Sequence, residues 1–415
     1  KLLQGCSLML RPETFKCRVC PPLAIILSML HERARQLAGE SAFDVLRRAQ
    51  ELEAGGQEII HLEIGQPDFP TPDHIREAAV RALADGHTGY GPSQGLPELR
   101  AAIAEKAGAL RGLEFSPDQV VVAPGAKALL FYTINALAGP GDEVIYPDPG
   151  FPAYQSVIAH SGARPVPLPL REETGFRFDV DEFRALVSDR TRLVILNSPQ
   201  NPTGGVLELE DLEAVAAAAA ERDITILSDE IYLHFCYDSP FETIASVENT
   251  DGRVIIIDGF SKTYSMTGWR LGYAILPPAL VETFDLYNVN IASCACTFSQ
   301  HAAVEALRGP QDSVLAMVSE FRQRRDFLVE ALNGIRGISC APPGGAFYAF
   351  ANITGTGMSS ADLATKLLVE AGVAVLSGSS FGSSGEGYIR LSYATSMEKL
   401  GAAIARLEGL LGKSE

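Results

Sequence analysis

Four side chains with reactive or charge-binding groups follow two apolar segments of this chain. Asp229 and Tyr232 come shortly after the apolar residues 224–227, and Lys262 and Arg270 follow a second apolar segment further along. A lysine amine can form a Schiff base with an aldehyde, and a carboxylate can keep a ring nitrogen protonated. An arginine guanidinium can bind phosphate as a fork. Together these groups suit a ligand that carries an aldehyde, a ring nitrogen and a phosphate.

Two further strand ends supply groups for the same ligand. The segment Pro124-Gly125-Ala126-Lys127 opens a helix, so its glycine allows close backbone approach and its free N–H groups suit a phosphate. Asn201 follows the apolar residues 192–196 and provides an amide. Ligands of an open parallel sheet bind beyond the carboxyl ends of its strands, where these residues would meet. Each residue alone could be a helix cap, a solvated side chain or a core residue, but together they predict a site for pyridoxal 5′-phosphate (PLP).

The elements that must position these residues alternate between helix and strand. Apolar patterns predict strands over 59–64, 120–123, 143–146, 192–196, 224–227 and 253–257. Helices are predicted over 41–54, 73–85, 96–111, 126–138, 152–160, 208–222 and 311–332. Strands that are apolar throughout indicate an α/β domain whose mostly parallel sheet is flanked by helices.

A second, smaller α+β unit is expected after the long helix, with strands near 346–351 and 388–393. The predicted division is a leader over 1–30, the N-terminal part of the small domain over 31–72, the large domain over 73–310 and the C-terminal part of the small domain over 311–415. We expect the leader to be unstructured or non-native, with a targeting segment as the alternative.

Composition excludes several classes of protein. The 415 residues carry a net charge of −17, whereas a nucleic-acid-binding protein normally has a basic excess. No apolar run approaches the roughly 20 residues that span a bilayer. Seven cysteines are too few for a disulfide scaffold and favour a reducing compartment, so we expect a cytoplasmic location. Cys17 and Cys20 form an isolated C-x-x-C, for which a chance pair is favoured over a zinc or redox site.

Three motifs in one order resemble those of the class I/II aminotransferases of PLP fold type I. They are N-P-T-G at 201–204, S-D-E-I-Y at 228–232 and S-K-T-Y-S-M-T-G-W-R-L-G-Y at 261–273. The resemblance extends from about residue 41 to the C-terminus. It implies a PLP-dependent transaminase that acts on amino acids and 2-oxo acids by a ping-pong mechanism.

The resemblance assigns the principal contacts with the cofactor. It implies that Lys262 is the Schiff-base lysine and later the general base, and that Asp229 pairs with the pyridine nitrogen. Tyr232 and Asn201 would hydrogen-bond the phenolic oxygen of the ring. Arg270, eight residues after the lysine, would bind the phosphate.

Further positions complete the expected site. The phosphate cradle is assigned to Gly125, Ala126 and Lys127. Phe151 would stack on the ring, Ser261 would lie near the phosphate, and Tyr90 would reach the phosphate of a neighbouring subunit. Because that last role needs a partner chain, a homodimer with shared active sites is expected.

Substrate contacts are implied for four residues. Arg390 would grip the α-carboxylate as a bidentate fork, with Gly65 and Asn201 beside it. Lys127 occupies the position at which a lysine contacts the distal carboxylate in one aspartate aminotransferase subgroup. This match favours an aspartate-like donor, although Lys127 could instead contribute only its backbone N–H. Alanine, branched-chain and aromatic amino acids stay open as alternative donors.

Other functions remain as alternatives. A C–S lyase or a decarboxylase could use the same fold, but lyases of this type carry histidine at the position of Tyr232. A regulator with an aminotransferase-like sensor would need a basic DNA-binding module, which the acidic chain does not offer.

Overall fold

The computed structural model describes residues 31–250 and 252–413. The predicted leader over 1–30 and its Cys17–Cys20 pair lie outside the described residues. The α-helices of four or more residues are Glu32–Arg35, Ser41–Ala54, Asp73–Ala84, Pro97–Arg111, Ala126–Leu137, Ala153–Ser161, Val180–Leu186, Leu209–Arg222, Val281–Ile291, Thr297–Arg308, Asp312–Asn333, Ser360–Lys366 and Met397–Leu411.

The strands are numbered in chain order. They are β1 (Ile60–His61), β2 (Val120–Ala123), β3 (Glu143–Asp148), β4 (Arg164–Arg171), β5 (Arg177–Phe178), β6 (Thr191–Asn197), β7 (Thr225–Asp229), β8 (Val254–Gly259), β9 (Gly272–Ile275), β10 (Tyr348–Asn352), β11 (Val373–Ala374), β12 (Leu376–Ser377) and β13 (Tyr388–Ser392).

An eight-stranded sheet in the order β2-β9-β8-β7-β6-β3-β4-β5 forms the centre of the molecule. β4, β3, β6, β7 and β8 pair in parallel, whereas β9 runs antiparallel between β2 and β8, and β5 runs antiparallel at the opposite edge. The prediction of an α/β fold with a mostly parallel sheet is therefore confirmed. β7 and β8 end side by side, which brings Asp229 and the segment that leads to Lys262 to one edge.

Helices cover both faces of this sheet because its strands carry apolar residues on both sides. Val120 and Val122 pack with the helices Asp73–Ala84, Pro97–Arg111 and Thr297–Arg308. Val121 and Ala123 point to the other face and pack with the helices Ala126–Leu137 and Ala153–Ser161. Successive residues of a strand point to opposite faces, so a strand without polar positions must be buried on both.

A smaller group of strands lies in the C-terminal part. β10, β13 and β12 form an antiparallel sheet, and β1 pairs in parallel with β11. The predicted strand over 59–64 forms ladder pairs only at residues 60–61, although Ile60 and Leu62 pack in the same apolar cluster as Leu391. The two ends of the described chain thus share a core, while the domain boundaries at 72 and 310 stay predictions.

Two features are absent from the described residues. None of their helices combines the length and apolarity needed to cross a membrane. Across residues 31–250 and 252–413, no cluster of histidine, cysteine, aspartate and glutamate side chains is arranged to hold a metal ion.

Candidate active site

A cavity of about 670 Å³ opens at the carboxyl ends of the central strands. Most of the residues predicted for the site line it: Gly65, Ala126, Lys127, Phe151, Asn201, Asp229, Tyr232, Ser261, Lys262, Arg270 and Arg390. Gly125 lies against the guanidinium group of Arg270 at the edge of the cavity. Tyr90 is outside the cavity and is 90% exposed, so within one chain its hydroxyl is directed to no part of this site.

Lys262 follows β8 and presents its amine to the cavity. Its Nζ donates a hydrogen bond to the carbonyl oxygen of Gly65 at 2.5 Å. Desolvation, together with the positive charges of Arg390, Lys127 and Arg270, lowers the pKa of Lys262 to about 8. About a tenth of the amine is therefore neutral and nucleophilic at pH 7, far more than for an ordinary lysine.

Asp229 is the last residue of β7 and lines the same cavity in a desolvated position. The hydroxyl of Tyr154 donates to its Oδ2 at 2.7 Å, and the backbone N–H of Ile231 donates to Oδ1 at 3.4 Å. Burial raises the pKa of Asp229 to about 6, and these two hydrogen bonds oppose the rise. The carboxylate is consequently ionised at neutral pH and can pair with a protonated ring nitrogen.

A buried ion pair lies behind Asp229. Nε and Nη2 of Arg111 donate to Oε2 of Glu230 at 2.8 and 2.5 Å, and both side chains are shielded from solvent. The other carboxylate oxygen of Glu230 accepts from the hydroxyls of Ser228 and Thr243, each at 2.8 Å. Although burial disfavours its charge, the neighbouring carboxylates raise the pKa of Arg111 above its ordinary value.

Two tyrosine hydroxyls meet on the side of the cavity next to the lysine. Tyr232 and Tyr348 are both buried, and their hydroxyl oxygens lie 2.7 Å apart. Tyr348 also explains Gly65, because a Cβ at that position would lie 2.0 Å from the Tyr348 hydroxyl. Burial raises the pKa of Tyr232 well above its ordinary value, so its hydroxyl stays protonated and can donate.

Arg390 projects from β13 into the same cavity. Its Nη1 donates to Oδ1 of Asn201 at 3.0 Å, and its Nη2 donates to the carbonyl oxygen of Glu63. Its Nε is buried and has no hydrogen-bond partner. A guanidinium held in this way keeps donors for an anion that enters the cavity.

The anion cradle forms at the N-terminus of the helix Ala126–Leu137. Gly125 has a φ of +96° and no side chain caps the first helical turn. A Cβ on Gly125 would lie only 2.4 Å from Nη2 of Arg270, so the position requires glycine. The free N–H groups of the helix and the Arg270 guanidinium thus converge on one point, which suits a phosphate.

The residues present therefore fit PLP. Its phosphate matches the cradle at Gly125 and Arg270, its ring nitrogen matches the buried carboxylate of Asp229, and its aldehyde matches the amine of Lys262. Nη1 and Nη2 of Arg390 each make one hydrogen bond within the chain and each keep a second N–H for a substrate carboxylate.

Lys127 lies at the mouth of the cavity. Its ammonium group forms an ion pair with the carboxylate of Glu40, and its Nζ is 5.2 Å from the centre of the Phe151 ring. The side chain thus contributes more than its backbone to the cavity wall, although it is 50% exposed.

Among the cavity residues that sequence reasoning missed, Tyr154, Tyr348 and Glu40 contact predicted site residues through polar groups. Tyr154 lies three residues after Phe151, and this helical spacing within Gly-Phe-Pro-Ala-Tyr was the available signal. Tyr348 and Glu40 belong to no motif, and their places follow only from the fold.

Comparison with known proteins agrees with this geometry. Residues 57–407 match the profile of "Aminotransferase class I and II". An aspartate aminotransferase of Pyrococcus abyssi is 43% identical, with 88% of this chain and 95% of that protein aligned. Aromatic-amino-acid aminotransferase 2 of Thermococcus litoralis is 41% identical over the same shares of each chain.

A solved structure has the same fold as this chain. The aspartate aminotransferase of Thermus thermophilus, determined with maleate, superimposes with a TM-score of 0.88 at 36% identity, covering 92% of this chain and 99% of that one. The chain belongs to the class I and II aminotransferases and has their PLP fold type I. It is a PLP-dependent transaminase.

Proposed function

We propose that the protein moves the amino group of an aspartate-like L-amino acid to a 2-oxo acid, with Lys262 as the catalytic base. The observation that carries this proposal is the convergence of an amine, a buried carboxylate and an arginine with a free donor on one cavity. Lys262 and Asp229 serve the cofactor, and Arg390 binds the α-carboxylate of the substrate.

PLP, when bound, supplies an aldehyde that combines with amines and a ring that withdraws electrons from the substrate α-carbon. Nζ of Lys262 would take the proton from that α-carbon and would donate a proton to the former aldehyde carbon of the cofactor. Its pKa of about 8 supports this role, since an amine used as a base must be partly neutral at the working pH. Asp229, held by the Tyr154 hydroxyl, keeps a proton on the ring nitrogen.

Other residues orient the reactants in this proposal. The hydroxyl of Tyr232 and the amide of Asn201 bind the phenolic oxygen, and Phe151 stacks on the ring. Arg270 binds the phosphate together with the cradle residues Gly125, Ala126 and Lys127, and Ser261 lies beside it. The backbone of Gly65 lies next to the substrate carboxylate that Arg390 binds.

An aspartate-like donor is favoured by Lys127, because its ammonium group lies at the mouth of the cavity where a distal carboxylate could reach it. The names of the aspartate aminotransferases of Pyrococcus abyssi and Thermus thermophilus point the same way. The second candidate is an aromatic donor, since the Thermococcus litoralis relative carries that name and Phe43 and Leu130 add apolar surface to the cavity.

We also propose a homodimer and a cytoplasmic location. A dimer is supported by the 90% exposure of Tyr90, whose phenol would reach the cofactor phosphate of a second copy. The cytoplasm is supported by the small number of cysteines in the chain.

Titration of the purified, PLP-loaded protein with single amino acids tests the reaction. L-Aspartate, L-glutamate, L-alanine and L-phenylalanine are added separately while the cofactor absorbance is followed. Conversion to the pyridoxamine form with release of the matching 2-oxo acid is expected, fastest with the dicarboxylic pair. Pyruvate and ammonia without pyridoxamine would identify a lyase instead. Lys262→Ala should abolish turnover, and transamination at the wild-type rate in that variant would refute the assignment.

A further inference from the structure

Glu40 places a second carboxylate at the mouth of the cavity. It lines the cavity, its side chain is 23% exposed, and it forms an ion pair with Lys127. Glu40 stands at the N-cap position of the helix Ser41–Ala54, yet its side chain accepts no hydrogen bond from that helix. The carboxylate is thus directed toward the cavity and away from the helix that it precedes.

This ion pair changes what Lys127 can offer to a substrate. In the absence of a substrate, the positive charge of Lys127 already has a carboxylate partner. A dicarboxylic donor that approaches with its α-carboxylate on Arg390 must place its distal carboxylate near Lys127 and therefore near Glu40. Two carboxylates that compete for one ammonium group repel each other, so the donor has to displace Glu40.

A donor with an uncharged side chain contacts a different surface. It has no distal carboxylate, so the ion pair between Lys127 and Glu40 can stay closed. Ala42 and Phe43, which follow Glu40 directly and also line the cavity, offer apolar contacts to its side chain. The mouth of the cavity can in this way accept either type of donor, depending on whether the ion pair between Lys127 and Glu40 is broken.

We propose that Glu40 determines donor specificity by competing with the distal carboxylate of a dicarboxylic substrate for Lys127. This inference rests on the proposed function. Glu40 lowers the affinity for dicarboxylic ligands and leaves the affinity for ligands without a distal carboxylate unchanged, so it sets the ratio between the two classes.

The test uses the PLP-loaded enzyme and two unreactive acids. Maleate carries two carboxylates and 3-phenylpropionate carries one, and the binding of each is followed through the cofactor absorbance. In Glu40→Gln, the Kd for maleate should fall about fivefold, because a partly exposed ion pair no longer has to be broken. The Kd for 3-phenylpropionate should change less than about twofold, because this ligand has no distal carboxylate to compete with Glu40.

Matched variants separate this effect from a general change of charge. Glu51→Gln makes the same charge change on the helix that Glu40 precedes, but Glu51 is exposed and paired with Arg47, so neither Kd should move. Adding Lys127→Met to Glu40→Gln should remove the gain in maleate affinity. Glu40→Ala should reproduce Glu40→Gln, and it serves in its place if the glutamine variant does not retain PLP.

Two failures can be told apart. The proposed function fails if none of the amino acids converts the cofactor of the wild-type enzyme to the pyridoxamine form. The role of Glu40 is refuted if transamination proceeds but the ratio of the two Kd values is unchanged or moves toward 3-phenylpropionate in both Glu40 variants. It is also refuted if Glu40→Gln increases the affinity for maleate equally in the presence of Lys127→Met.

Discussion

Replacement of Arg111 by methionine should destabilise the protein by about 3–5 kcal/mol. The substitution leaves the carboxylate of Glu230 buried and without its cation, while the methionine fills much of the space of the arginine. Two charges about 4 Å apart attract each other by roughly 4 kcal/mol at an effective dielectric constant of about 20. The hydroxyls of Ser228 and Thr243 still bind Glu230, which keeps the loss within this range and not above it.

Urea unfolding of the PLP-loaded protein measures the loss. Trp269 is the single tryptophan of the chain, and its indole Nε1 donates to the hydroxyl of Thr71 at 3.1 Å, so its fluorescence reports on the region next to the site. The midpoint should fall without a change in slope.

The double variant Arg111→Met/Glu230→Gln is the control. It removes both charges of the pair while an amide oxygen remains for Ser228 and Thr243, so it should recover part of the lost stability; Asp258, whose Oδ2 lies 3.9 Å from Nη2 of Arg111, still loses its cation. A loss below about 1 kcal/mol in the single variant would show that the pair contributes little. A double variant as unstable as the sum of the two single variants would show that charge is not the cause.

Three further predictions concern the cofactor site. Tyr154→Phe removes a hydroxyl donor from the carboxylate of Asp229, so the pKa of Asp229 should rise above its value of about 6 by about one unit. The acidic limb of the pH profile of PLP binding should then move to higher pH. A limb that does not move would contradict this role of Tyr154. Gly125→Ala should weaken PLP binding at least about tenfold in a fluorescence titration, because its Cβ would overlap the adjacent guanidinium, whereas Gly139→Ala, where a Cβ meets no atom within 4 Å, should bind normally. In the cofactor-free protein the pKa of Lys262 is about 8 instead of 10.5, so unfolding takes up a proton between these pH values. The free energy of unfolding in urea should therefore increase with pH across that window. This increase should be absent from Lys262→Met, and its persistence there would exclude Lys262 as the source.

The sequence predicted the strands whose residues are apolar throughout, and it failed where proline or glycine obscured the pattern. β4 reads Arg-Pro-Val-Pro-Leu-Pro-Leu-Arg, and three prolines argue against an inner strand, yet it pairs with β3 over six residues. β9 begins at Gly272, inside the motif at 261–273, and its antiparallel direction breaks the alternation of helix and strand.

Some residues of the site lie in sequence motifs, and others are brought to it only by the fold. The places of Lys262 and Asp229 were predictable because each lies at or just after the end of a strand, in a motif of fixed spacing. Tyr348 was not, because a tyrosine among apolar residues is typical of a core strand, and only the fold brings its hydroxyl to Tyr232. Glu40 was missed for a similar reason, since its partner Lys127 lies 87 residues further along the chain.

The position of Arg390 has a consequence for the order in which the enzyme is made. Its guanidinium is fixed by the carbonyl of Glu63 and the amide of Asn201, both of which leave the ribosome long before β13 is synthesised. The cradle at Gly125, Asp229 and the proposed Schiff-base lysine all precede it as well. A growing chain therefore contains all of its own predicted cofactor-binding residues before Arg390 is added, and this arginine is the last of the predicted site residues to be synthesised.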